Sequence, residues 1–112
     1  MPENKPEYKV ELLIPAWNEL DEISDFHLAM VGPISAKKIT DKIFKSLERL
    51  ETFPLSCPYV PDRQLKEQGY RMLVCGKYVC IYRLIGKVVY VYHIANGSME
   101  YSKLIKTDED HN

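Results

Sequence analysis

The sequence lacks the features that mark membrane, secreted and metal-binding proteins. None of its apolar runs approaches the roughly 20 residues of a membrane-spanning helix, and the polar, proline-containing residues 1–7 predict no signal peptide. Its three cysteines, Cys57, Cys75 and Cys80, are odd in number and have no metal-ligand spacing. We therefore expect reduced thiols in a cytoplasmic protein, with Cys75 and Cys80 as small buried apolar side chains.

Motifs for cofactor binding are missing as well. The sequence has no glycine-rich phosphate loop and no cluster of His, Cys and Asp, so it predicts neither a metal nor a cofactor. Its 112 residues are 46% hydrophobic, which is enough for one core. We predict a single domain over residues 1–107 and an acidic, disordered tail over residues 108–112.

The net charge of −1 hides an uneven distribution along the chain. Residues 1–56 contain seven Lys or Arg and ten Asp or Glu, a net charge of −3, whereas residues 57–106 contain eight and three, a net charge of +5. A basic region of this kind suits either a polyanion or an acidic protein partner, and scattered solubilising charge explains it equally well.

Residues 69–101 hold six of the eight tyrosines and predict a three-stranded antiparallel meander. The strands are separated by Gly76-Lys77 and Gly86-Lys87, and glycine at the first central position is the requirement of a type II′ turn. Two-residue turns place Cys75 opposite Tyr78 and Ile85 opposite Val88.

This register divides the meander into two faces, and a slip of one residue would exchange them. We assign the helices to the first face, which carries Arg71, Leu73, Cys75, Tyr78, Cys80, Tyr82, Leu84, Val89, Val91 and His93. The second face, which carries Ile94 among its apolar residues, is then expected to be uncovered. It would present Tyr70, Arg83, Tyr90 and Tyr92 together, and we call these four the tyrosine–arginine surface. Such a surface suits either stacked bases with a phosphate or another protein.

Hydrophobic spacing predicts a strand and two helices before the meander. The strand covers residues 8–14, the first helix residues 16–30, and the second helix residues 36–52 with Ser35 as its N-cap. Residues 55–66 have no periodicity and are expected to form a surface connector.

One face of the second predicted helix is basic. Its four cations, spaced by four, three and four residues, form what we call the basic stripe: Lys38, Lys42, Lys45 and Arg49. The stripe is suited to a nucleic-acid backbone or an acidic partner, and a solvated helix face is the equally weighted alternative.

Four groups of residues, taken in order, resemble the RelE/ParE superfamily of toxins from type II toxin–antitoxin systems. They are Ala16, Leu20 and Ile23 after the first strand; Leu47, Leu50, Phe53 and Pro54; Arg71-Met72-Leu73 followed by Gly76, Tyr78, Tyr82, Arg83 and Leu84; and Gly97 followed by Glu100-Tyr101-Ser102-Lys103-Leu104. The resemblance implies an α+β fold of order β-α-α-β-β-β, with a helix pair on a twisted antiparallel sheet.

The resemblance also implies an antitoxin partner and offers two targets. RelE-like members cut mRNA on the ribosome, whereas ParE-like members inhibit DNA gyrase without nuclease activity. Our first expectation is a metal-independent, ribosome-dependent mRNA endoribonuclease, and the alternatives are a gyrase-binding toxin or an inactive antitoxin-binding homologue.

The endoribonuclease hypothesis assigns roles to twelve residues. The candidate catalytic residues are Arg83 and Arg71 for charge on the phosphate, His93 for acid–base chemistry, and Tyr101. The candidate nucleic-acid-binding residues are the basic stripe, Lys77, Tyr70, Tyr90 and Tyr92. The sequence departs from the family at Ser98, Asn96 and Val79, where relatives often carry basic residues.

Overall fold

The computed structural model describes residues 6–97 and residue 105. The elements in chain order are β1 (Lys9–Leu12), α1 (Ile14–Met30), α2 (Pro33–Glu48), a 3₁₀ turn (Arg49–Glu51), α3 (Arg63–Glu67), β2 (Arg71–Cys75), β3 (Tyr78–Ile85) and β4 (Val88–Asn96). The predicted β-α-α-β-β-β order is confirmed, with the short α3 added in the connector. The predicted tail lies outside the described residues.

The four strands form one sheet in the order β1-β4-β3-β2. The first strand runs parallel to β4, and the other three form the predicted antiparallel meander. Consequently β1 and β2 are the two outer strands of the described sheet.

The two glycine-lysine turns have the predicted conformation. Gly76 has a φ of +61° and Gly86 a φ of +63°, and no described residue other than glycine has a positive φ. Cys75 therefore pairs with Tyr78, and Ile85 pairs with Val88, as predicted.

A β-bulge on β4 shifts the register that the turns establish. Tyr82 pairs with Val91 but Ile81 pairs with His93, so Tyr92 is the extra residue of β4. An inserted residue exchanges the two faces for the positions that follow it. Ile94 consequently packs in the core under the helices, and its assignment to the second face is wrong. His93 now pairs with Ile81, whose side chain lies on the second face, so the assignment of His93 to the first face is wrong as well.

The helices begin earlier than their apolar spacing suggests. The first helix starts at Ile14 with Pro15 in its first turn, where a missing N–H costs nothing. Gly32 precedes α2, so the prediction that Ser35 caps this helix is wrong. Ser35 lies within α2, and its Oγ is 3.1 Å from Nδ1 of His27, whose Nε2 is 3.0 Å from the Tyr78 hydroxyl.

Apolar side chains cover both faces of the sheet. The helix-side core contains Ala16, Leu20, Ile23, Ile43, Leu47, Leu50, Leu73, Cys75, Tyr78, Cys80, Tyr82, Val89, Val91 and Ile94. A second, smaller core contains Val60, Leu65, Tyr70, Val79, Ile81 and Ile105. The expectation that the second face is uncovered is therefore wrong.

The connector covers the second face because it is locally ordered. The Asp62 carboxylate accepts the N–H of Leu65 at 3.1 Å and caps α3, so that the fully buried Leu65 packs against the sheet. Val60, also fully buried, donates its N–H to the carbonyl oxygen of Tyr70 at 3.1 Å. The predicted surface connector is thus a second layer.

Candidate functional site

Arg83 lies at the centre of the tyrosine–arginine surface. Its guanidinium group is hydrogen-bonded to other groups of the protein. Nε and Nη2 donate to the Tyr92 hydroxyl at 3.2 and 2.8 Å, and Nη1 donates to the carbonyl oxygen of Gln68 at 3.4 Å. The guanidinium carbon lies 4.6 Å from the ring centre of Tyr70 and 5.2 Å from that of Tyr92. This geometry makes Arg83 a clamp between β4 and the end of α3.

The same contacts remove two tyrosines from the predicted stacking surface. Tyr70 is only 3% exposed, and its ring meets that of Tyr92 edge-on with 5.1 Å between the ring centres. The expectation that Tyr70 presents a free face to a base is therefore wrong. Tyr90 is partly exposed and lies between its strand partners Glu11 and Arg83, so a carboxylate flanks it on one side.

Arg71 has a comparable structural role on β2. Its Nη1 donates to the carbonyl oxygens of Cys57 and Leu55 at 2.7 and 3.4 Å, and its guanidinium carbon lies 4.0 Å from the centre of the Tyr59 ring. Arg71 thereby holds the first part of the connector against β2.

His93 is paired with a carboxylate that the sequence did not point to. Its side chain is almost fully buried, and Nδ1 lies 3.1 Å from both oxygens of Glu19 on α1. Glu19 also accepts the N–H of Ile94 at 3.0 Å. Glu19 and His93 are 74 positions apart, and no local pattern links them.

The candidate catalytic residues do not meet at one open position in the described structure. Arg71, Arg83 and His93 are bound to three different sets of protein atoms. Tyr101 and Ser98 lie outside the described residues. Of the two other positions where the family is often basic, Asn96 is exposed and Val79 is buried in the second core.

The basic stripe is exposed along its whole length. Lys38, Lys42, Lys45 and Arg49 all lie on the solvent side of α2 and the following turn. A shallow depression of about 530 Å³ runs beside Lys38, Lys42 and Lys45, with Asp41 and Glu48 among its lining residues. A Cβ atom built on Gly76 would lie 3.5 Å from Nζ of Lys42, so the stripe approaches the β2–β3 turn that carries the exposed Lys77.

A second, apolar depression lies beside β1, and we call it the edge groove. It encloses about 590 Å³ and is lined by Val10, Leu12, Trp17, Phe44, Leu47 and three glutamates. Trp17 and Phe44 are 46% and 38% exposed, with 5.9 Å between their ring centres.

Burial controls the titration of three groups in the helix-side core. It raises the pKa of the Cys80 thiol from 9.0 to about 12 and also raises the pKa of Tyr82 and Tyr78 above 10.0. The Tyr82 hydroxyl donates to the carbonyl oxygen of Pro54 at 2.8 Å. Each group is thereby kept protonated and inert, as expected of structural residues.

The described part of the chain has neither a metal-ligand cluster nor a membrane-spanning helix. Within residues 6–97 and residue 105, no three His, Cys, Asp or Glu side chains are arranged to hold a metal ion. None of the helices in these residues has the length and apolar character needed to cross a membrane.

The fold is found in solved toxin–antitoxin structures. A chain of the chromosomal ParDE system from P. aeruginosa is 20% identical, with a TM-score of 0.70, and the match covers 83% of this chain and 99% of that one. A chain of the RelBE2 toxin–antitoxin complex from Mycobacterium tuberculosis is 17% identical, with a TM-score of 0.61, covering 80% and 98%. No curated protein matches.

A family model places the chain more specifically. The model described as ParE toxin of type II toxin–antitoxin system, parDE, matches residues 10–101. This range includes β1 from Val10 onward, both long helices and the whole meander, so it covers every residue of the helix-side core. The chain belongs to the ParE toxin family of type II toxin–antitoxin systems, within the RelE/ParE superfamily.

Proposed function

We propose that this toxin inhibits DNA gyrase by binding it, without cutting nucleic acid, and that a cognate antitoxin neutralises it. The ParE match over residues 10–101 supports this choice of target, because the resemblance to ParE-like members implies gyrase. The proposal places the protein in the cytoplasm, where gyrase acts.

The guanidinium contacts of Arg83 and Arg71 are the main argument against nuclease activity. A phosphate in a cleavage site needs guanidinium N–H groups that point into an open cleft. Arg83 directs three donors at Tyr92 and Gln68, and Arg71 directs Nη1 at two backbone carbonyls. Turning either guanidinium group fully towards a phosphate would break some of these contacts, which include those to the backbone carbonyls of Cys57 and Gln68.

A ribosome-dependent endoribonuclease is the second candidate function. The exposed basic stripe favours it, because four cations on one side of a helix suit the phosphate backbone of ribosomal RNA or mRNA. The same stripe also suits the DNA that gyrase holds, so it does not distinguish the two targets by itself.

Two assays with the purified full-length chain test the proposal. Gyrase supercoiling of a relaxed plasmid is followed with increasing toxin, and mRNA ends are mapped by primer extension in a cell-free translation reaction. Blocked supercoiling with intact mRNA supports the proposal. Codon-phased cuts with unaffected supercoiling overturn it in favour of the endoribonuclease.

A third outcome separates an inactive homologue from both toxins. If the chain neither blocks supercoiling nor cuts mRNA, yet still binds the product of the adjoining reading frame, it is an antitoxin-binding protein without its own target. Heat-denatured toxin is the control in both assays, because it retains the charge composition and loses the fold.

A further inference from the structure

The basic stripe continues into an apolar surface at its amino-terminal end. Ile34 precedes Lys38 by four positions, the same interval that separates Lys38 from Lys42, so the three side chains lie in one row along α2. Ile34 is 74% exposed, and Met30 and Val31, where α1 ends, are 69% and 73% exposed. We call Met30, Val31 and Ile34 the hairpin tip.

Lys38 joins the hairpin tip to the basic stripe. It lines a depression of about 420 Å³ together with Val31, Pro33 and Ile34. It also lines the larger depression that runs beside the stripe. A partner that fills both depressions would meet apolar side chains at one end and ammonium groups along the rest. One partner surface can therefore contact the hairpin tip and the stripe together.

The cations of the basic stripe are not neutralised by the described residues. No ion pair among these residues includes a cation of the stripe, whereas Lys37, one position before Lys38, pairs with Asp41 at 2.7 Å. Asp41 and Glu48 line the depression beside the stripe, so two carboxylates, one of them already paired, face four cations. The stripe is therefore suited to a polyanion.

The length of the stripe suits the backbone of a nucleic-acid duplex. Lys38 and Arg49 are eleven positions apart, which is about 16 Å along a helix axis. Successive phosphates of one DNA strand advance about 3.4 Å along the duplex axis, so the stripe can follow about five of them. Lys77 adds a fifth exposed cation on the turn that Lys42 approaches. The hairpin tip offers no charge to a phosphate, and its exposed apolar side chains call for a protein contact instead.

We propose that the toxin binds gyrase beside the duplex DNA that the enzyme holds, with the hairpin tip on the gyrase protein and the basic stripe on the DNA backbone. The inference rests on the proposed function, which supplies gyrase as the target. It goes further by assigning the contact surface of the toxin and by dividing that surface between protein and DNA. It predicts that bound DNA strengthens the toxin–gyrase complex.

Binding of the full-length toxin to purified gyrase, with and without a duplex DNA fragment, tests the DNA contact. The DNA should strengthen binding of the wild-type toxin about tenfold at low salt, and less at high salt. Lys45→Glu, in the stripe, should lose most of this gain. Lys37→Glu makes the same charge change at the lysine that pairs with Asp41, and it should keep the gain. An equal gain in the two variants, or no gain with the wild-type toxin, overturns the inference.

Ile34→Ser tests the apolar contact with a matched control. Ile85→Ser makes the same change at a position of β3 that is 49% exposed and lies outside the hairpin tip. Both side chains are exposed, so urea unfolding of the two variants should stay close to that of the wild-type toxin. Ile34→Ser should weaken the affinity for gyrase on the order of tenfold, with or without DNA, and Ile85→Ser should change it little. Equal affinities of the two variants contradict the assignment of the tip.

Other partners of this surface and the function itself give distinguishable results. If Ile34→Ser weakens binding to the protein encoded by the adjoining reading frame but not to gyrase, the tip is an antitoxin surface and the inference is wrong. If Ile34→Ser and Lys45→Glu weaken binding to purified ribosomes but not to gyrase, the surface belongs to the second candidate function. Variants that block supercoiling as well as the wild-type toxin leave the proposed function intact and remove the inference. A wild-type toxin that does not bind gyrase contradicts both.

Discussion

Glu19 and His93 connect the first helix to the last strand at the bulge of the sheet. Both carboxylate oxygens lie 3.1 Å from Nδ1 of the imidazole, and Oε1 also accepts the N–H of Ile94 at 3.0 Å. The exposed fractions of the two side chains are 20% for Glu19 and 4% for His93. The carboxylate therefore contacts both residues that follow the bulge, where β4 departs from regular pairing.

Removing this carboxylate should destabilise the fold. Glu19→Ala removes the acceptor of the Ile94 N–H and the carboxylate that contacts the buried imidazole, and the free energy of unfolding should fall by about 1–3 kcal/mol. Urea unfolding followed by circular dichroism measures the change. Asp21→Ala, at an exposed position of the same helix, is the control and should change it by less than about 0.5 kcal/mol. Equal values for the two variants would contradict the structural role of Glu19.

The Glu19–His93 pair also illustrates what the sequence could not predict. The turn residues Gly76 and Gly86 set the register because their positive φ is a local requirement, and the predicted pairs were correct. The bulge at Tyr92 left no local sign, since the alternation of apolar residues continues through it. A contact over 74 positions depends on how α1 packs on β4, which no short pattern encodes.

The second core was missed for a different physical reason. Residues 55–66 have no periodicity, but Asp62 stands three positions before Leu65, which is the spacing of a helix cap. This signal could have predicted α3, although not the face of the sheet that Leu65 covers. The site prediction placed Tyr70 and Arg83 together correctly, but it treated both as exposed, whereas Tyr70 is buried and Arg83 is partly buried against Tyr92.

Arg83 provides a prediction that separates a clamp from a catalytic group. Arg83→Ala should lower the free energy of unfolding by about 1–3 kcal/mol, because the Tyr92 hydroxyl and the Gln68 carbonyl lose a charged donor. Arg83→Lys should recover only part of the loss, since an ammonium group cannot donate in the same planar arrangement. Tyr92→Phe combined with Arg83→Ala in a double-mutant cycle should give a coupling of about 1 kcal/mol. A stable Arg83→Ala protein with no such coupling would assign the guanidinium to another role.

The buried thiol of Cys80 should make stability fall at alkaline pH. Its pKa is about 12 in the folded protein and 9.0 when the thiol is solvated. The folded state therefore holds this proton more tightly, so the stabilisation is complete below pH 9 and is lost as the pH rises towards 12. The expected slope is about −1.4 kcal/mol per pH unit above pH 9.

Urea unfolding at several pH values in the presence of a reductant measures this slope. Cys80→Ala should flatten the dependence of the unfolding free energy on pH between pH 9.0 and 10.0, the ordinary thiol and tyrosine pKa values. In this interval Tyr78 and Tyr82 do not yet contribute. The tyrosines add their own loss above pH 10, because burial raises the pKa of each above 10.0 in the folded protein. An unaltered slope in Cys80→Ala would show that the thiol does not titrate as described.

The turn between β3 and β4 should depend on glycine for backbone reasons alone. A Cβ atom on Gly86 would meet no other atom within 4 Å, but its φ of +63° disfavours any L side chain. Gly86→Ala should therefore cost about 1–2 kcal/mol of unfolding free energy. Lys87→Ala, in the same turn at an ordinary φ, is the matched control and should cost much less. Equal destabilisation would point to the side chain of Lys87 rather than to the glycine conformation.

The basic stripe predicts that nucleic acid binds to one side of α2 only. Lys42→Glu and Lys37→Glu make the same charge change on one helix, but only Lys42 belongs to the stripe, whereas Lys37 pairs with Asp41 at 2.7 Å. If the stripe contacts phosphates, Lys42→Glu should weaken binding to a short RNA or DNA duplex several-fold more than Lys37→Glu. It should also reduce the slope of log Kd against the logarithm of the salt concentration by about one, which corresponds to the loss of one phosphate contact.

Fluorescence anisotropy at salt concentrations from about 50 to 200 mM measures both quantities. The salt slope is the more diagnostic of the two quantities. The change in net charge is the same in both variants and shifts the affinity of both. Loss of a phosphate contact lowers the slope of Lys42→Glu alone. Identical slopes for Lys42→Glu and Lys37→Glu would identify the stripe as a solvated helix face. If the two variants differ in salt slope with RNA but not with duplex DNA, the result favours the endoribonuclease, because gyrase holds duplex DNA and the ribosome presents RNA.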